Sequence, residues 1–134
     1  MKITLVLTDS FSDCTKAIKE MISLGEKLSA NMEVLAVLED LYKLEKASIS
    51  LGVPLPPDTV PSAKERFEDR IKTVFRHSGL ENKIKVQVVA GELKKEVENH
   101  LKDSGADLLM FGCPSAHHVC KVIDELGVSS LIIK

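Results

Sequence analysis

The sequence predicts an α/β protein in which a five-stranded parallel sheet lies between two layers of helices, a three-layer, Rossmann-like sandwich. Two observations predict it. Five short, mostly apolar runs recur along the chain ("KITLVLT", "MEVLAVL", "KIKVQVVA", "DLLMFG" and "SSLIIK"). Runs of this kind are the pattern of strands covered on both faces. Between them, apolar residues recur three and four apart, the period of a helix, and strand–helix–strand crossovers of one hand make the strands parallel.

The first run, residues 2–8, leads into Asp9 and Ser10. Cys14, Ala17, Ile18, Met21, Ile22, Gly25 and Leu28 then fall on one stripe and predict the buried face of a helix. Ser10 or Ser12 is placed to cap that helix, and Asp13 suits its positive first turn. Residues 32–38 form the second strand. Residues 39–61 carry four of the five prolines, all in "GVPLPPDTVP". They predict a long surface loop with at most a helical turn around 41–47. Val53, Leu55 and Val60 need cover there, so the 52–61 segment is expected to pack as a lid or as an arm toward a second copy.

Ser62 and Glu65 make a capping box that restarts a helix after Pro61. Phe67, Ile71, Val74 and Phe75 are its inward stripe, and Gly79 ends it. A third strand covers 83–90. The short helix after it turns Leu93, Val97 and Leu101 inward and closes at Gly105. The fourth strand covers 107–112. Val119, Val122, Ile123 and Leu126 predict a last short helix before the terminal strand at 129–133. All of residues 1–134 read as a single domain.

Composition removes several function classes. The formal net charge is −2 with Lys and Glu interspersed, so no basic field exists for nucleic acid or an anionic membrane. Four Phe, one Tyr and no Trp leave little for base stacking. No apolar stretch reaches the length of a membrane span. Three Cys, at 14, 113 and 120, are an odd number and predict reduced thiols in a cytoplasmic protein. His77 and His100 fall near helix C-termini and read as surface residues. "KERFEDR" and "ELKKEVE" pair opposite charges along solvated helix faces.

In such a sheet a ligand lies at the carboxyl ends of the strands, where strand order reverses. That edge gathers Asp9, residues 37–40, Gly91 and the stretch "GCPSAHHVCK" from Gly112. With "LVLTDSFSD" at the first strand, "LAVLED" at the second and "VVAGELKKEVENHLKDSGADLLMFG" into the fourth, the whole chain resembles the universal stress protein family. The resemblance implies a strand order of 3-2-1-4-5 and a homodimer in which the terminal strands, 129–133, meet. An apolar edge strand also suggests pairing on its own. The resemblance further implies an adenine nucleotide, ATP in particular, between strands one and four. Asp9 matches the family's nucleoside-contacting Asp, and Val37 matches the residue whose backbone meets adenine.

The family holds phosphates with Gly-x-x-Gly, nine residues, then Gly-Ser or Gly-Thr. Glycines let backbone N–H groups approach the anion, and a helix N-terminus favours its charge. Only Gly112 survives here. Ser115 replaces the second glycine, Glu125 and Leu126 replace the last pair, and Pro114 removes a donor. Asp9 and the Ser-Phe-Ser-Asp that follows also make a turn one residue longer than the family's. The cofactor-binding residues expected are therefore Asp9, Val37, Gly112 and Ser115, with the phosphate side lost or rebuilt.

Cys113, His117, His118 and Cys120 have the chemistry of a zinc site or a reactive thiol, but no C-x-x-C pair and no orienting carboxylate accompany them. They read as plugs and caps, leaving no metal ligand and no catalytic residue assigned. The function expected is a non-catalytic, dimeric binding module of the stress response with weak or lost ATP binding. The alternatives are a full ATP-binding protein with slow hydrolysis, thiol chemistry at Cys113, or a zinc or redox-sensing dimer.

Overall fold

The computed structural model describes residues 1–9, 15–80, 83–112, 123 and 125–133. Five strands, β1 (Lys2–Thr8), β2 (Asn31–Leu38), β3 (Lys85–Ala90), β4 (Leu108–Gly112) and β5 (Ser130–Ile133), form one sheet in the order β3-β2-β1-β4-β5. Every neighbouring pair is parallel, with Thr8 opposite Val37, Val37 opposite Val89, and Val6 opposite Phe111. The helices are α1 (Thr15–Leu28), α2 (Glu39–Leu51), α3 (Thr59–His77) and α4 (Leu93–Ser104).

The period-two geometry of strands divides the core cleanly. Ile3, Leu5 and Leu7 of β1, with Val34, Ala36 and Leu38 of β2, face α1 and α3, where Ile18, Met21, Phe67, Ile71 and Phe75 cover them. Val6, Leu35, Val37, Leu109 and Phe111 face the other way, onto Leu93 and Val97 of α4. Ile123, Leu126 and Val128, between β4 and β5, pack against that second cluster. The α1 stripe runs as its spacing predicts from Ala17 to Gly25, but Leu28, the last residue of the helix, is 46% exposed.

The expected 39–61 loop is mostly helix. Glu39–Leu51 forms α2, which ends at Gly52 in the left-handed region. The helical period was invisible because α2 buries only Leu41, so no apolar stripe marks it. Its helix-forming composition and the acidic Glu39 and Asp40 in its first turn supply local stability instead. The irregular stretch shrinks to residues 53–58, in which Val53 is exposed, while Val60 packs against the main core from within α3. Helix α3 also starts earlier than the Ser62–Glu65 capping box predicts, with Asp58 at the N-cap. Pro61 sits inside its first turn, where a missing N–H leaves no intrahelical bond unmade.

Phe75 is fully buried at the centre of the α1/α3 layer. Phe75→Ala is expected to lower unfolding stability by about 3–5 kcal/mol, read as a shift of the urea midpoint.

Candidate functional site

Strand order reverses between β1 and β4, since the chain builds outward to β2 and β3 on one side and to β5 on the other. The crevice of such a sheet opens at the carboxyl ends of those two strands. Asp9 follows β1 at that place, and Gly112 ends β4.

The Asp9 carboxylate is held by a neighbouring element. The Asp40 N–H donates to Oδ1 and the Leu41 N–H to Oδ2, each at 3.0 Å. These amides belong to the first turn of α2, whose own N-cap position is Leu38 and makes no side-chain capping bond. A helix leaves its first N–H groups without internal partners. Asp9 therefore caps α2 across the sheet and sets a negative charge on the positive end of its dipole.

Val37, one residue before the end of β2, is 0% exposed and stands in register with Thr8 and Val89. Gly112 has a packing reason of its own. A Cβ added there would lie 2.8 Å from Leu7 Cδ2 and 2.9 Å from the Ala17 Cβ. The bare backbone at the end of β4 lets α1 settle against the sheet. Ser115 and Cys113, Pro114, His117, His118 and Cys120 lie outside the described residues, as do Ser10, Ser12, Asp13 and Cys14. Among the described residues no three His, Cys, Asp or Glu side chains gather as a metal-binding group.

A second polar cluster, which sequence reasoning missed, occupies the opposite edge. Glu33 is 6% exposed on the α4 face of β2, directly opposite Thr4. The Thr4 hydroxyl donates to Glu33 Oε1 at 2.6 Å, and His100 Nε2 lies 2.7 Å from the same oxygen. Lys2 Nζ stands 3.9 Å from Oε2. His100 is thus a core-facing partner, with 9% of its side chain exposed, and not the surface residue expected. His77 is exposed as expected. The signal was in "MEVLAVL": a carboxylate in a run of apolar residues must find donors or leave the sheet. A cleft of about 490 Å³ opens beside this cluster, bordered by Lys2, Lys85, Asn99 and Asp103.

Burial would push the Glu33 carboxyl up. Hydrogen bonds from Thr4 and His100, with the charges of His100 and Lys2, outweigh it and hold the group below its ordinary value.

A sheet of order 3-2-1-4-5 with helices on both faces and its crevice between strands one and four defines a doubly wound α/β class of protein. Comparison narrows the class. A universal stress protein of Aquifex aeolicus (strain VF5) is 41% identical over 135 residues, which span all of both chains. The chain belongs to the universal stress protein family. No family model matches it. Among solved structures, the universal stress protein UspA of Lactobacillus plantarum superposes with a TM-score of 0.66 at 20% identity, over 100% of this chain and 97% of its own. The universal stress protein of Archaeoglobus fulgidus in complex with dAMP gives 0.66 at 12% identity, over 100% and 98%. A universal stress protein in complex with cAMP gives 0.57 at 16% identity, over 97% and 94%. No helix among the described residues is long and apolar enough to cross a membrane.

Two outcomes are expected. Gly112→Ala forces a methyl against the fixed Ala17 Cβ and lowers stability by about 1–3 kcal/mol in urea unfolding, whatever ligand is present. Glu33→Gln removes an anion whose folded pKa lies below its unfolded one. Its destabilisation, about 1–3 kcal/mol, is then full above the ordinary carboxylate pKa of about 4.3. It shrinks as pH falls through the lower folded value, a narrowing that urea midpoints between pH 7 and 3 will show.

Proposed function

We propose that this protein is a non-catalytic universal stress protein that binds the nucleoside part of an adenine nucleotide weakly and works as a dimer. The observation that carries the reading is the Asp9 carboxylate at the switch point between β1 and β4, in a chain 41% identical to a universal stress protein over its full length. Relatives of the same fold hold dAMP and cAMP, which share adenine and differ in sugar and phosphate. In this reading Asp9 accepts hydrogen bonds from the nucleoside, and the backbone around Val37 meets the adenine edge.

Gly112, the one surviving glycine of the family's phosphate motif, is accounted for by its contacts with Leu7 and Ala17. Ser115 remains as a phosphate contact, without the glycines that would bring further N–H groups close. The phosphates then add little affinity, and without firm phosphate positioning hydrolysis has no purchase.

Dimerisation is assigned to β5. It is an edge strand that bears Leu131 at 44% and Ile132 at 37% exposure. Unpaired N–H and C=O groups beside exposed apolar side chains are what a second copy of the same strand would cover.

Calorimetric titration with AMP and ATP tests the binding. Both are expected to bind within about threefold of each other, as negligible phosphate contacts require, and Asp9→Ala is expected to weaken both. ATP binding at least tenfold tighter than AMP, or release of phosphate from Mg–ATP at a protein-dependent rate, would overturn the reading. Native mass spectrometry is expected to give a dimer that Leu131→Lys converts to monomer.

A further inference from the structure

We infer that a ribose and helix α2 compete for the same two oxygens of Asp9, so that nucleoside binding releases the N-terminus of α2. The inference rests on the nucleoside reading above and adds what the ligand would do to the protein. Asp40 and Leu41 present two adjacent N–H donors, one to each carboxylate oxygen, both at 3.0 Å. The two hydroxyls of a ribose 2′,3′-diol are the same kind of donor pair. Each carboxylate oxygen keeps a second lone pair, but a donor pair that must reach both oxygens together meets the α2 amides, which already engage one oxygen each.

The helix is built to let go. No residue of its own caps its N-terminus, and Leu41 is the single side chain it buries. Leu44, Ile49 and Leu51 stand in solvent. The Asp9 contact and the buried Leu41 are thus two of the attachments at that end, beside the half-buried Tyr42. When the diol takes Asp9, the first-turn amides turn to water and the first turn frays. When α2 holds Asp9, it taxes nucleoside affinity. The coupling is reciprocal, as linkage requires.

Two consequences separate this from a cap that is only structural. A 2′-deoxyribose brings one hydroxyl and displaces the helix less than a ribose does. A change that weakens α2 far from Asp9 must tighten nucleoside binding. Ala47 is exposed at mid-helix, and Ala47→Gly lowers helix propensity there.

The experiment is amide hydrogen exchange by NMR on the full chain, with AMP and 2′-deoxy-AMP as probes. In Asp9→Ala without ligand, exchange at Asp40 and Leu41 is expected to rise by roughly 2- to 30-fold, the range spanned by loss of one capping side chain. Asp9→Asn, which keeps the side chain's shape, serves if Asp9→Ala fails to fold. Saturating AMP should raise exchange at the same two amides in the unaltered protein, and 2′-deoxy-AMP should raise it less. Ala47→Gly should bind AMP up to about fivefold more tightly. AMP binding seen as shifts at Thr8 and Val37, with Asp40 and Leu41 exchange unchanged or slowed, overturns the competition and leaves nucleoside binding intact. No shift at Thr8 or Val37 at millimolar AMP overturns both.

Discussion

The constraint on which this structure depends is double coverage of the central strands. β1 and β2 have helices or their connections on both faces, so residues 3–8 and 33–38 all face core. The fold tolerates few polar groups there. Among the described residues only Thr4, Thr8 and Glu33 are polar and buried. Each such group must carry its hydrogen bonds with it, because an unpaired one is expensive away from water. Thr4 and Glu33 meet this demand in each other, as direct cross-strand neighbours, and His100 reaches the pair from α4. One interaction thereby pins the C-terminal half of α4 over the amino ends of the strands, and α4 lies along the sheet with its other end near the carboxyl edge.

The two edges of the sheet are consequently different chemical places. The amino edge holds a closed set of partners, a buried carboxylate whose donors are already in position. The carboxyl edge holds Asp9, whose partners are backbone amides of an element that is only lightly attached. One edge is thus fixed by side chains buried in the sheet, while the other depends on a helix that buries a single residue.

Most of the fold was legible because its periodicity was strong. The β1 and β2 runs, the α1 stripe and the Phe67, Ile71, Phe75 ladder of α3 all declare themselves by spacing. Helix α2 did not, for a physical reason: a helix that buries one residue has no apolar face to display, and the prolines that follow it are turn formers. The capping of α2 was equally hidden, since its cap comes from Asp9, thirty-one residues before Asp40. Local rules look for a cap within a turn of the helix. The place of Asp9 at the carboxyl edge was legible, but the helix it holds was not. Glu33 was visible as an anomaly in its strand, while its partner His100, sixty-seven residues away, was beyond any local pattern.

Gly112 carries a lesson about how a binding motif decays. A family pattern treats its glycines as equivalent, yet this one answers to two masters. A side chain there would collide with Leu7 and Ala17, so substitution is costly at this position whether or not an anion ever rests nearby. A glycine that the packing of helix on sheet already demands is no measure of anion binding, so a motif match at this position counts for less than it does elsewhere.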